Sequence, residues 1–179
     1  MKTIQIGSQV WTRKNLRVFK FRNGDPIPII QDSDEWALSQ EAAMCINPYN
    51  GECYYNWHAV ADKRGLAPKG FHVPSDMEWY TLIKVYDGFD VAAKLLKSPK
   101  KWDGAGVPKG FNVKGFDAIP SGYRTHNGDI ITREYSGFWW TSTPCGSEAF
   151  CYYMFSGVSI AHRDSGTFRN GFSVRLIKD

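Results

Sequence analysis

The chain has 179 residues, 42% of them hydrophobic and 22% charged, with a formal net charge of +4. That length and balance suit one globular domain able to bury a core without staples, and they exclude a disordered chain. No stretch reaches the roughly 20 apolar residues of a membrane span, and the cations are scattered, so neither membrane insertion nor a nucleic-acid partner is expected.

At the start, TIQIGSQVW and LRVFKF both alternate in period two. They read as two strands over residues 3–22, bent at TRKN. The opening MKTIQIGSQVW lacks an apolar signal core. Cytoplasmic synthesis or association with a phage particle is expected if that start is natural, and a cell-surface or secreted location if a leader has been removed. NGDPIPII carries turn chemistry, DSDEWALSQEAA (32–43) reads as a short helix, and CYYNWHAV (53–60) as an aromatic strand.

The clearest local signal is VPSDMEWYTLIKVYDG. Ser75 and Glu78 have capping-box spacing, and Trp79, Leu82, Ile83 and Tyr86 fall on one helical face. Gly88 suits the exit, and a second helix is predicted over 90–98. KSPKK (97–101) reads as a solvated loop. From residue 100 the pattern changes to turn after turn. HNGDI signals a hairpin, and AFCYYMFSGVSIAHRD reads as strand, turn at Ser156-Gly157, strand. NGFSVRLIKD closes as a strand with Phe172, Val174 and Leu176 on one face. The sum is one α+β domain over 1–179, with helices early and antiparallel strands drawn from both ends.

The chemistry-bearing residues are sparse. Cys45, Cys53, Cys145 and Cys151 are spaced more widely than CxxC, without the neighbours of a zinc site. Two short-range disulfides and four packed thiols fit equally. His58 and His72 read as structural, and His126 as part of a hairpin turn. His162, Arg163 and Asp164 look like a catalytic trio, but sequence neighbours in a strand point to opposite faces, so His162 and Arg163 would not converge unless that segment is a loop. No acidic cluster in 140–170 supplies calcium's six to eight oxygens. No metal and no cofactor are expected. Of Trp139 and Trp140, strand geometry turns one inward and one outward.

Several stretches in order carry a resemblance: IGSQVWTRKNLRV, NGDPIP, EW at 35–36, YYNWHAV, GLAPKGFHVPSDMEWYTL, GFDAIPSGYR, GFWWTSTP and NGFSVRLIKD. Together they resemble the Fibrobacter succinogenes major paralogous domain, a family grouped with C-type lectin-like folds. The resemblance implies two helices on an antiparallel sheet, paired terminal strands, a scaffold over 3–100 and a loop-rich part over 101–179 with the ligand face. Ala67 and Leu176 stand where that family often has cysteines. The WWTST entry and NGFSVR end are also similar to variable proteins of diversity-generating retroelements, bacterial or phage display scaffolds.

The expectation is a non-enzymatic domain binding a protein or glycan through residues 140–168. The resemblance brings Trp140 toward that face, and Tyr152, Met154, Ser156, Val158, Ile160, His162, Asp164 and Phe168 join it as anchors and polar contacts. The plain alternative is an ordinary hairpin with Tyr152 and Met154 buried. Two rival functions are a cysteine-dependent oxidoreductase related to formylglycine-generating enzymes, which needs two cysteines side by side, and a structural adhesin module of the cell envelope.

Overall fold

Gly7 turns the chain back in the middle of what the alternating pattern reads as one strand. The computed structural model of the protein describes residues 1–99, 102, 115–131 and 135–179. In it β1 (Thr3–Ile6) and β2 (Gln9–Thr12) pair antiparallel, Thr3 opposite Thr12. Gly7 at φ 59° supplies the left-handed turn residue. The predicted bend at TRKN is therefore a correction: the hairpin closes earlier, and most of residues 13–22 leave strand geometry.

The two ends of the chain clasp as expected. β11 (Ile177–Lys178) lies between β2 and β5 (Phe71–His72), giving the order β1-β2-β11-β5. Ahead of β11 the chain crosses the whole molecule. Gly171 exchanges backbone bonds with Arg124, Phe172 with Tyr55, and Ser173 bonds to Phe138 and Trp140. Val174 and Leu176 then accept from Leu16 and Thr12 at 2.7 and 2.9 Å. All of residues 171–177 are buried. Phe172, Val174 and Leu176 enter one core cluster together with Ala67, as their alternation predicts.

Side-chain caps start three of the helices among the described residues. Asp32 caps α1 (Ser33–Leu38), which ends at Ser39 so that the chain can enter β3 (Met44–Ile46). The helix predicted to residue 43 is thus shorter. β3 pairs with β4 (Cys53–Tyr55), and the strand predicted to residue 60 stops there. Asn56 Oδ1 accepts the Ala59 amide and starts α2 (Trp57–Val60), a local cap that overrides aromatic strand propensity. α3 (Asp76–Lys84) has the full Ser75–Glu78 capping box, and α4 (Phe89–Leu96) follows Gly88. Trp79, Leu82, Ile83, Ala92, Ala93 and Leu96 join the two helices in one core cluster.

The second half contributes a hairpin and a meander. β6 (Tyr123–Arg124) and β7 (Ile130–Ile131) pair around Asn127-Gly128, as the sequence signals. A Cβ on Gly128 would lie 2.3 Å from the Ser33 carbonyl, so glycine lets this turn touch α1. β8 (Ser136–Cys145), β9 (Glu148–Phe155) and β10 (Ala161–Thr167) form a sheet in the order β10-β9-β8. Among the described residues, four helices and several antiparallel sheets make an α+β architecture. The solvated reading of KSPKK fails at its first residue, because Lys97 is only 2% exposed. Lys100, Lys101 and the turn-rich stretch from residue 103 to 114 lie outside the described residues.

Candidate functional site: an aromatic face on the three-stranded sheet

Register decides which side chains share a face, because directly opposed residues of an antiparallel pair stand on the same side. Phe138 opposes Tyr153, and Tyr153 opposes His162. One row along, Trp140, Cys151 and Asp164 align, and Phe155 opposes Ser136. The alternate residues Trp139, Tyr152, Met154, Ala161 and Arg163 belong to the other side, where α3 and α4 pack. Tyr152 is stacked between Trp79 and Phe89, at 5.1 and 6.3 Å between ring centroids.

Three expected face residues are therefore core, which is a correction. Tyr152 and Met154 are fully buried under the helices, as the plain hairpin alternative holds. Trp140 is also fully buried: its ring packs on Phe172 at 4.2 Å and its Nε1 donates to the Tyr55 carbonyl. Trp139 is buried too, so strand alternation does not leave one of the pair outward. At this pair both sides of β8 are covered, one by the helices and the other by the C-terminal segment. Phe168 is half-buried away from the sheet face, stacked on Trp57 at 4.5 Å.

The remaining expected residues do reach the surface. Asp164, Val158 and Ile160 are exposed, His162 and Ser156 half-buried. The structure adds Tyr123, Phe138, Tyr153 and Phe155, which the sequence reading missed. Tyr153 stacks on His162 at 4.8 Å with 7° between planes, and on Phe138 at 4.8 Å with 18°. Phe138 also contacts Tyr123 at 4.5 Å. Phe155 stands across the row, 69° to Tyr153 and 63° to His162. The rings of Tyr123, Phe138, Tyr153 and Phe155, with Asp164, Ser165 and Asn170, line a shallow depression of about 280 Å³. Burial raises the Tyr153 phenol above its ordinary value, and the charge of Asp164 adds to that. The phenol is therefore a hydrogen-bond donor at neutral pH.

The loop joining β9 to β10 is held from below. Lys97 Nζ donates to the carbonyls of Phe155 and Val158, the latter at 2.6 Å, and lies 4.8 Å over the Trp102 ring. Burial pushes its amine down to about 8. The Ser156 amide donates to the Tyr135 carbonyl at 2.6 Å, and Gly157 at φ 82° completes the turn. Phe155, Val158 and Ile160 thus project from an anchored backbone.

The other candidates for chemistry are dispersed. His162 and Arg163 point apart, as alternation predicts: His162 stacks on Tyr153, whereas Arg163 pairs with Asp76 of α3 at 2.7 Å. His72 bridges Glu78 and Asp179 at 2.8 Å each. Burial works against its protonation, but those two carboxylates outweigh it and raise its pKa. His58 lies in α2 rather than a strand, edge-on to Phe168, and burial lowers it.

All four cysteines are free. Cys45 opposes Tyr54, and Cys53 opposes Ile46, which puts the two thiols on opposite faces of one ladder. Cys145 opposes Glu148 and is exposed, whereas Cys151 opposes Trp140 and is buried. Burial raises Cys45 to about 11 and Cys151 to about 12. Such thiols stay protonated and are weak nucleophiles. Among the described residues no three His, Cys, Asp or Glu side chains converge as metal ligands, and no helix is long and apolar enough to cross a membrane.

Neither the curated proteins nor the solved structures contain a match to this chain. The sequence model of the Fibrobacter succinogenes major domain does match, over residues 4–178. That span runs from the first hairpin to the strand that clasps it, so it takes in the whole scaffold and the aromatic face. The chain belongs to the Fibrobacter succinogenes major domain family.

Proposed function

We propose that this chain is a non-enzymatic recognition domain of C-type lectin-like architecture, and that its aromatic face binds a partner protein. The observation that carries the reading is the ring row Phe138–Tyr153–His162. Its interplanar angles of 18° and 7° turn the ring faces toward each other. A ligand meets ring edges, the Tyr153 hydroxyl and the His162 ring. A sugar prefers an open ring face, as a floor to stack on; clustered aromatic edges beside apolar side chains are what a protein hot spot offers. Phe155, Val158 and Ile160, each about two-fifths exposed, extend the apolar area. Asp164 on the rim selects a partner whose apolar segment carries a lysine or arginine. Because the loop is anchored, little conformational entropy is lost on binding. The scattered thiols, three of them buried, favour this reading over the oxidoreductase one. If the face is a diversified display surface, variation is tolerated at Tyr153, Phe155, Val158, Ile160, His162 and Asp164. It is excluded at Trp140, Tyr152 and Met154, where it would break the core.

Panning a random peptide library on the full chain tests this. Enriched peptides should combine aromatic or branched apolar residues with a base, and lose binding to a Tyr153→Ala/Phe155→Ala variant. Binding to a glycan array in place of peptides overturns the protein reading, and peptides held equally by the variant overturn the site.

A further inference from the structure

On the side of the terminal clasp lies a second concavity, of about 840 Å³, that shares no residue with the aromatic depression. Its volume is within the roughly 300–1,000 Å³ of small-molecule sites. Among the described residues the charged lining is Lys2, Arg13, Lys14, Arg17 and Arg175 against Glu52 and Asp117, five cations to two carboxylates. Arg13 is neutralised by Asp117 at 2.7 Å. Lys14 and Arg17 are exposed and make no ion pair among the described residues.

Arg175 forms the inner wall and is 1% exposed. Its guanidinium donates to the carbonyls of Thr12, Phe116 and Asp117 and to Asn15 Oδ1, and to no carboxylate among the described residues. Burial outweighs the attraction of Glu52 and Asp117 and lowers it to about 9, so its charge is under-compensated where it stands. At neutral pH an arginine keeps that charge. Asn15 fixes the geometry, because its Oδ1 also accepts from Trp139 Nε1 while its Nδ2 donates to Glu52. Leu16, Val18 and Ile119 add apolar wall.

We propose that this groove is a second ligand site, independent of the aromatic face, for a small polyvalent oxyanion. Arg175 provides a fixed positive field at the back, and Lys14 and Arg17 close on the anion from the mouth. A carboxylate or a phosphate group satisfies the donors of Lys14 and Arg17 alike.

Calorimetric titration of the full chain with citrate, inorganic pyrophosphate and neutral maltose tests the site. At low salt citrate or pyrophosphate should bind with a dissociation constant of about 1 mM or tighter, and maltose should not bind. Binding should weaken as salt is raised. Lys14→Glu/Arg17→Glu should weaken it by roughly tenfold or more, with an unchanged melting temperature because both side chains are exposed. Should that variant fold poorly, Lys14→Gln/Arg17→Gln repeats the test with smaller perturbation. Tyr153→Ala/Phe155→Ala should leave anion binding unaltered, which separates this site from the protein-binding face. No heat with either anion, equal binding of maltose, or full binding by a folded charge variant overturns the proposal.

Discussion

Tyr152 and Tyr153 are adjacent in one strand and stand in opposite worlds: Tyr152 is sealed between Trp79 and Phe89, while Tyr153 lies at the surface against His162. The Tyr152 hydroxyl also reaches the Asp76 carboxylate at 3.2 Å, at the start of α3. Tyr152→Ala should therefore empty the sheet–helix seam and cost ~3–5 kcal/mol. Tyr153→Ala removes a half-exposed ring and should cost about 1 kcal/mol or less, while abolishing partner binding. Urea denaturation of both variants checks the pair. Similar losses in the two would show that the faces have been assigned wrongly.

Thiol chemistry separates recognition from redox function. Of the four cysteines only Cys145 is exposed, and the burial that raises Cys45 and Cys151 also blocks reagent access. Native protein should release one equivalent of thiol to a disulfide reagent within minutes, and all four only in denaturant. Rapid reaction of two thiols, lost together on mild oxidation, would revive the oxidoreductase reading.

The parts of the fold legible in the sequence are those fixed by a few neighbouring residues. The Ser75–Glu78 box and the Asn127-Gly128 turn are complete within four residues, and both are where the sequence puts them. Gly7 was not legible as a turn, since Ile6 and Gln9 continue the alternation across it. In β9 alternation correctly divides the side chains into two sets, but it does not say which set the helices cover. The even set, Tyr152 and Met154, looked like anchors and became core. His162, Asp164, Val158 and Ile160 were legible because charge or turn position keeps them outside. Tyr123 joins the face from a separate hairpin, by contact with Phe138, which no local pattern encodes.

Lys97 was hidden for the same reason, and its burial gives a pH signature. Its folded-state pKa of about 8 lies below the ordinary 10.5. Below about 8 the amine is protonated in both states, and the cost of burying the charge is fully present. Between about 8 and 10.5 the unfolded chain binds a proton that the folded chain does not, so stability rises with pH. The stability of the wild type relative to Lys97→Met should increase across that window. The same substitution strips the Phe155 and Val158 carbonyls of their donor, so amide exchange in 156–160 should quicken. A pH-independent difference, with exchange unchanged, would contradict the buried clamp.

Arg124 and Arg163 invert the usual expectation that an arginine matters through its carboxylate. Arg163 forms a two-pronged pair with Asp76, at 2.7 and 2.9 Å, but its side chain is 38% exposed. Arg124 pairs with no carboxylate among the described residues and is completely buried. Its guanidinium donates to the carbonyls of Gly128, Ile30, Gln31 and Asp32 at 2.6–3.0 Å and packs 4.5 Å over Trp36. It thereby ties the β6–β7 hairpin to the start of α1, while its backbone pairs with Gly171 and aligns the C-terminal segment. Water screens the exposed pair, so Arg163→Met should cost about 1 kcal/mol or less. Arg124→Met leaves four acceptors without their donor, each worth ~1–3 kcal/mol when stranded, and should cost about 4 kcal/mol or more. Arg124→Lys should fall between, because one ammonium does not reproduce a planar fork. Urea midpoints for the three variants order them; an Arg163→Met loss as large as that of Arg124→Met would mean the carbonyl cradle does not hold the domain together.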